Sequence, residues 1–180
     1  MTTDLIRSFD LSCQQLLLSL PLLLQLLLTL FVLTRWITHT VFETQHSNPS
    51  WFIPVVGNVL PALAGVTLGH PVWAAAQYGV AIFLWPIALV LVLARIGMVG
   101  LWPQRMLPTT FITMAPPSVL ALSGHQLGAP DTLVHMLWGV SVFFTLVSLT
   151  VLKRCLQQPF GMPFWGMSFP LAASAALSLH

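Results

Sequence analysis

Residues 81–93 read AIFLWPIALVLVL, and residues 138–152 read WGVSVFFTLVSLTVL. Neither stretch contains a charged residue. A helix that crosses a bilayer needs about 20 mostly apolar residues, because the hydrocarbon core is about 30 Å thick. The two stretches therefore predict transmembrane helices, and they decide the class of the fold.

The composition of the whole chain agrees with this prediction. Of 180 residues, six are Lys or Arg and four are Asp or Glu, while 57 % are hydrophobic. The mean hydropathy is +0.89. Soluble domains carry about 25 % charged residues, so these charges could not cover the surface of a soluble body. We therefore expect an all-α integral membrane protein. A basic stripe for nucleic acid is absent from the sequence, in which Lys153-Arg154 is the adjacent basic pair.

Working outward from the two stretches gives about six transmembrane helices in one transmembrane domain, 1–180. We name them helices A to F, at about residues 16–36, 52–69, 72–94, 107–123, 132–152 and 164–180. Barrel strands would alternate in polarity every second residue, and these segments do not. Arg7 before a leucine-rich stretch is typical of a signal peptide, but the stretch is too long for one.

The basic residues between the helices predict the orientation. The A–B, C–D and E–F loops contain basic residues, whereas the B–C and D–E loops contain no Lys or Arg. Cytoplasmic loops carry an excess of Lys and Arg. We expect the first set of loops in the cytoplasm and Met1 outside, in a plasma membrane such as the bacterial inner membrane. An outer start is unusual for a complete inner-membrane protein, and residues 176–180 end the chain while still apolar with no terminal loop. We therefore also expect a part of a larger bundle.

The six helices are of two kinds. Helices A, C and E are mostly aliphatic, whereas B, D and F contain no charged residue and are rich in Pro, Gly and small hydroxyl residues. Proline removes a backbone donor from a helix, and the freed carbonyl is tolerated in a membrane only against protein or a water-filled cavity. We therefore predict that B, D and F form an inner layer that lines a pore. Prolines that only shape helix packing remain an alternative.

A pore built from these helices would be electrically neutral. Cation and proton pathways usually carry acidic side chains within the membrane, and helices B, D and F have none. Hydroxyl groups and the amides of kinked helices favour an anion weakly. The sequence thus favours an anion over a cation.

Three segments resemble one transporter family. NPSWFIPVVGN at 48–58, MAPPSV at 114–119 and QPFGMPFWGMSFP at 158–170 are similar to the fifth, seventh and ninth helices of the tellurite-resistance/dicarboxylate transporter family. That family includes bacterial TehA and the plant guard-cell slow anion channels. The resemblance covers about residues 51–180, and residues 1–50 match only as a generic apolar helix.

The resemblance implies ten helices in five hairpins with pseudo-five-fold symmetry, whose inner helices line the pore, and a homotrimer. Helices A to F would be the fourth to ninth of a truncated member. A phenylalanine that closes the pore falls on Phe169. The pore-lining candidates are Pro54, Gly57, Asn58, Pro61, Thr113, Pro117 and Ser118.

The function that follows is transport of a small anion through a neutral pore, either passively or linked to protons. Chloride, nitrate, sulfite, C4-dicarboxylates and tellurite-related species all remain open. We expect no enzyme activity, no cofactor, no metal and no nucleic-acid partner, and the expected partners are the anion, the bilayer and copies of the chain.

Three alternatives stay open. His70, His125 and His135, with Asp131, lie on the predicted outer side, but their spacing fits no metal-ligand motif. Ser123 stands close to His125, as an intramembrane serine protease would require, although residues so near in sequence rarely form a nucleophile and base. The third alternative is a truncated membrane subunit with a structural role that conducts nothing.

Overall fold

The computed structural model of the chain describes residues 20, 23–35, 37–38 and 57–179. Residues 1–40 and 41–180 form two compact units. In the first unit, helix α1 (Leu23–Arg35) is short and apolar. The hydroxyls of Thr29 and Thr34 donate to the carbonyls of Gln25 and Leu30, four residues earlier, so these polar groups are satisfied within the helix.

The second unit contains five α-helices and two 3₁₀ helices in its described part. In chain order they are α2 (Val59–Thr67), α3 (Pro71–Val99), the long 3₁₀ helix (Gln104–Met114), α4 (Ala115–Gln126), α5 (Asp131–Leu156), a short 3₁₀ turn (Met162–Phe164) and α6 (Trp165–Ser178). Among residues 57–179 no strand occurs. The prediction of an all-α membrane protein is confirmed.

Three of these segments are long and apolar enough to cross a membrane: Pro71–Val99, Gln104–Gln126 and Asp131–Leu156. They differ in burial. In the most apolar window of Gln104–Gln126, 83 % of the residues are buried, against 22 % and 28 % in the other two. The long 3₁₀ helix with α4 therefore lies inside the bundle, while α3 and α5 present apolar side chains outward, as lipid-facing helices do.

Helix D, expected at 107–123, begins earlier, and its two halves are different types of helix. Its first half is the 3₁₀ helix Gln104–Met114 and its second half is α4. Pro108, Pro116 and Pro117 cannot donate the backbone hydrogen bonds that an α-helix needs at those positions. Runs of 3₁₀ helix longer than about four residues are uncommon, and the donors missing at these prolines make a continuous α-helix less favourable here.

Helices C and E, expected to end at Ala94 and Leu152, continue to Val99 and Leu156. Arg95, which marked the end of helix C, therefore lies within α3, whereas Lys153 and Arg154 lie in the last turn of α5. Lys153 and Arg154 are favourable there because a helix C-terminus carries partial negative charge.

The same turn closes both hairpins of the second unit. Residues 65–71 read GVTLGHP and residues 124–130 read GHQLGAP, a repeated G-x-x-L-G-x-P pattern. In each turn the second glycine has a positive φ, 78° at Gly69 and 80° at Gly128. The amides of His70 and Ala129 donate to the carbonyls of Gly65 and Gly124. This is the Schellman geometry, which ends a helix at a left-handed glycine. Pro71 is then the first residue of α3, and Pro130 is the N-cap of α5.

The packing places α4 at the centre of the unit, in contact with α2, α3, α5 and α6. Helix α2 pairs with α3 in one hairpin, and α4 pairs with α5 in the next. Helix α6 packs mainly on the long 3₁₀ helix and on α4, and only lightly on α5. Helices α2, α4 and α6 thus form one layer, with α3 and α5 behind it.

Candidate functional site

A half-open cavity of about 450 Å³ lies on the free face of the layer formed by α2, α4 and α6. Its wall comes from all three helices and from the long 3₁₀ helix. The lining residues are Gly57, Val59, Leu60, Ile112, Ala115, Pro116, Val119, Trp165, Gly166, Phe169 and Pro170.

The wall of this cavity is neutral and almost wholly apolar. None of the lining residues is charged, and Trp165 is the one whose side chain carries a polar atom. Its indole N–H can donate a hydrogen bond but cannot accept one. The wall therefore offers a weak attraction for an anion and no side-chain ligand for a cation.

Phe169 lies on this wall, where its side chain is 49 % exposed. Trp165 stands four residues earlier and therefore on the same face of α6. Pro170 follows within the helix and is buried. Proline has no backbone N–H, so the carbonyl of Gly166 does not accept the hydrogen bond that residue 170 would otherwise donate. Gly166 itself lies against Ile112, whose Cδ1 would be 3.4 Å from an added Cβ. The front of α6 is thus close to the 3₁₀ helix, with Phe169 facing the free space.

The other predicted pore residues lie in different places. Gly57 belongs to the cavity wall, and Pro54 lies outside the described residues. Five residues are buried in the packing between helices and do not line this cavity: Asn58, Pro61, Thr113, Pro117 and Ser118. Their part in conduction stays a prediction.

Ser118 illustrates why these residues are buried. Its hydroxyl lies 2.7 Å from that of Ser141 on α5 and 3.0 Å from that of Ser174 on α6. Thr113 similarly donates to the carbonyl of Thr110 at 2.8 Å. Hydroxyls that bond to neighbouring helices or to their own backbone are satisfied away from the cavity.

Sequence reasoning missed the apolar half of the wall. Ala115, Pro116 and Val119 line the cavity because they share one face of α4, whereas Pro117 and Ser118 point to the opposite side. Residues three or four positions apart lie on one helical face, as Pro116 and Val119 or Ala115 and Val119 do. That spacing was the signal in the sequence that could have indicated these lining residues, whereas proline and hydroxyl content alone does not indicate them.

The competing sites find no geometric support in residues 57–179. Ser123 is fully buried and donates to the carbonyl of Val59 at 3.3 Å. The ring of His135 bonds to the carbonyl of Asp131 in its own helix. No group of three His, Cys, Asp or Glu side chains in the described part of the chain could hold a metal ion.

Comparison with known proteins assigns the chain to a family. The model of the voltage-dependent anion channel family matches residues 11–180. The chain belongs to this family. The family consists of channels and transporters, and the expectation that the chain is not an enzyme is therefore confirmed.

Three relatives in this anion channel family come from different kingdoms. An uncharacterized transporter of Methanocaldococcus jannaschii is 26 % identical over 159 residues, covering 76 % of this chain and 46 % of the relative. An S-type anion channel of Arabidopsis thaliana is 23 % identical, over 81 % of this chain and 39 % of the relative. A tellurite resistance protein TehA homologue of Haemophilus influenzae is 27 % identical, over 75 % of this chain and 42 % of the relative.

These matches confirm the resemblance to the tellurite-resistance and slow anion channel proteins. The chain spans about half the length of the curated relatives it matches.

Proposed function

We propose that the protein conducts small anions across a membrane along the face of α2, α4 and α6, through a pore that Phe169 closes. The observation that carries this proposal is the cavity. It lies on the three helices that proline and hydroxyl content mark as inner, its wall carries no charge, and Phe169 stands in that wall.

The wall chemistry supports an anion as the transported species. Acidic rings select cations in many channels, and the cavity wall has no acidic residue. An anion entering it meets an uncharged surface, in which Trp165 is the one residue whose side chain carries a polar atom. Such a wall binds an ion weakly, which suits rapid passage, because an ion that binds tightly leaves slowly.

The size of the cavity supports a small and partly hydrated ion. A volume of 450 Å³ equals about 15 water molecules at about 30 Å³ each. A chloride or nitrate ion fits with part of its water shell, and a C4-dicarboxylate fits with less water. Sulfite and tellurite-related oxyanions fall within the same range.

Phe169 supplies the barrier in this proposal. An aromatic ring in a narrow apolar passage excludes water, and an ion without water faces a high electrostatic cost. Movement of the ring or of α6 would readmit water. Driving forces for the ion are the membrane potential and the anion gradient, with proton coupling as the alternative.

The membrane setting belongs to the same proposal. The protein spans a plasma membrane, such as the bacterial inner membrane, with its basic loops in the cytoplasm. By its family resemblance it assembles as a trimer. Lys153 and Arg154, in the last turn of α5, would then face the cytoplasmic headgroups.

Anion flux in liposomes tests the proposal. The parent chain, Phe169→Ala and Phe143→Ala are reconstituted at equal amounts, and chloride and nitrate efflux are recorded. Phe143 is the matched control, because it is 59 % exposed on the outward face of α5. We expect Phe169→Ala to leak both anions while the parent and Phe143→Ala stay tight.

Two other outcomes would contradict the proposal. Equal leakage through Phe143→Ala would mean that loss of any exposed ring damages the bundle. If none of the three proteins shows anion flux, although each has native helix content and oligomeric state, the chain would be a subunit that does not conduct.

A further inference from the structure

Three serine hydroxyls from three helices meet behind the cavity. Ser118 on α4, Ser141 on α5 and Ser174 on α6 form a triangle with oxygen–oxygen distances of 2.7, 3.0 and 3.2 Å. We call them the serine cluster. Ser118 and Ser141 are buried, and Ser174 is half-buried.

The donors of the serine cluster can all be assigned. Ser118 donates to the carbonyl of Met114 at 2.8 Å, so its own proton is used within α4. A hydroxyl oxygen accepts two hydrogen bonds. Ser118 can therefore accept from Ser141 and from Ser174 along the two shorter edges. In this arrangement every hydroxyl proton in the cluster has an acceptor, and α5 and α6 are both tied to α4.

The position of Ser174 connects the cluster to Phe169. Five residues separate them on α6, which is a rotation of about 140° at 3.6 residues per turn. Phe169 therefore faces the cavity while Ser174 faces the other helices. Pro170 stands between them inside α6, and the helix continues through it from Trp165 to Ser178. A hydrogen bond that holds the rotation of α6 at Ser174 therefore also holds the direction in which Phe169 projects.

We propose that Ser141 and Ser174, through their shared acceptor Ser118, are positioning residues that hold α6 in the rotation that places Phe169 in the cavity. This inference rests on the proposed role of Phe169 as the gate. Helix α6 packs only lightly on α5, so the cluster is a main tie between these two helices. Without it, α6 keeps its packing on α4 and on the long 3₁₀ helix but loses this tie to α5, and a small rotation of α6 would withdraw the ring.

The first experiment compares anion leak through Ser174→Ala, Ser178→Ala and the parent. Ser178 is the control, because it lies on the same helix, is exposed and donates only to the carbonyl of Ser174. We expect Ser174→Ala to raise the leak about threefold. One hydrogen bond between membrane helices typically changes the ratio of two conformations by about this factor. Ser174→Thr keeps the hydroxyl and should restore the tight state.

The same substitution is also made in the Phe169→Ala background. If Ser174 acts through the ring, Ser174→Ala adds nothing once the ring is gone. A purely structural loss would increase the leak in both backgrounds by the same factor, and that result would overturn the inference.

The second experiment reads the position of residue 169 without any flux. A chain with Cys13→Ala, Cys155→Ala and Phe169→Cys is labelled with a soluble thiol reagent, with and without Ser174→Ala. We expect the labelling rate to change by about threefold or more, and to stay the same for Ser178→Ala.

The two experiments separate the inference from the proposed function. If Phe169→Ala leaks but Ser174→Ala matches Ser178→Ala in both assays, the gate stands and the inference is wrong. If no variant leaks but labelling responds to Ser174→Ala, the positioning role stands and the proposed conduction is wrong.

Discussion

Gly65 permits a close approach of α2 to Ala74 on α3, and replacing it should separate the two helices. A Cβ added at Gly65 would lie 2.9 Å from the Cβ of Ala74 and 3.5 Å from its Cα. Ala74 is fully buried in the first turn of α3, so its methyl group has nowhere to go. We predict that Gly65→Ala destabilises the hairpin.

The magnitude follows from two opposing effects. Overpacking a tight contact costs about 1–3 kcal/mol, while Gly to Ala in a helix gains about 1 kcal/mol of propensity. The net loss is about 1 kcal/mol, which lowers Tm by about 2–4 °C in a chain of this size. Gly79, on α3, is the matched control because nothing lies within 4 Å of its added Cβ. Gly79→Ala should raise Tm by a similar amount.

Thermal unfolding in lipid nanodiscs, followed by the fluorescence of the seven tryptophans, measures both variants. Opposite signs for the two substitutions support the close packing of this hairpin. A Gly65→Ala variant as stable as Gly79→Ala would refute the argument, because it would mean that the helices are not in contact at this point.

Two further predictions concern charge. Leu60 lies in the cavity wall. In the Phe169→Ala background, anion flux should be highest for Leu60→Lys, intermediate for Leu60→Gln and lowest for Leu60→Glu. A charge about 5 Å from the ion changes its energy by about 0.8 kcal/mol even in water, or about fourfold in rate, and efflux at low salt measures the order. Arg95 is 6 % exposed, donates to the carbonyl of Gly100 at 2.6 Å and lies over the ring of Trp102. Arg95→Ala should cost about 2 kcal/mol of unfolding free energy, whereas exposed Arg105→Ala should change Tm little; equal effects would contradict a structural role for Arg95.

The sequence was sufficient to predict the membrane class and the two kinds of helix. Long apolar runs cannot dissolve in water, and prolines in a membrane helix require neighbouring protein or water. Both arguments depend on composition alone. The lipid-facing exposure of α3 and α5 and the burial of the 3₁₀ helix with α4 agree with the division that these arguments made.

The conformation of the 3₁₀ helix could not be predicted in the same way. Pro108, Pro116 and Pro117 indicate missing donors, but several backbone forms accommodate a missing donor. Packing of Phe111 and Met114 against Phe144 on α5 selects the 3₁₀ form, and this contact joins residues far apart in the chain.

The sequence also did not predict which side of each inner helix faces the cavity. Hydroxyl residues were expected to line a pore because they are polar, but Ser118 and Thr113 find their partners in the protein interior. A polar group inside a membrane takes the nearest acceptor, and that choice depends on the neighbouring helices. The repeated turn at Gly69 and Gly128, in contrast, was visible in the sequence and could have indicated the two hairpins.

Cysteine block tests most directly whether ions follow the cavity. Leu60, on the cavity wall, and Leu93, on the outward face of α3, are both 47 % exposed and form a matched pair. Each is changed to Cys in a Phe169→Ala chain that also carries Cys13→Ala and Cys155→Ala, and anion flux is recorded before and after a negatively charged thiol reagent. If ions follow the cavity, modification stops flux through the Leu60→Cys protein and leaves flux through the Leu93→Cys protein unchanged. Block at Leu93→Cys with none at Leu60→Cys, when both are labelled, would contradict a pathway along α2, α4 and α6.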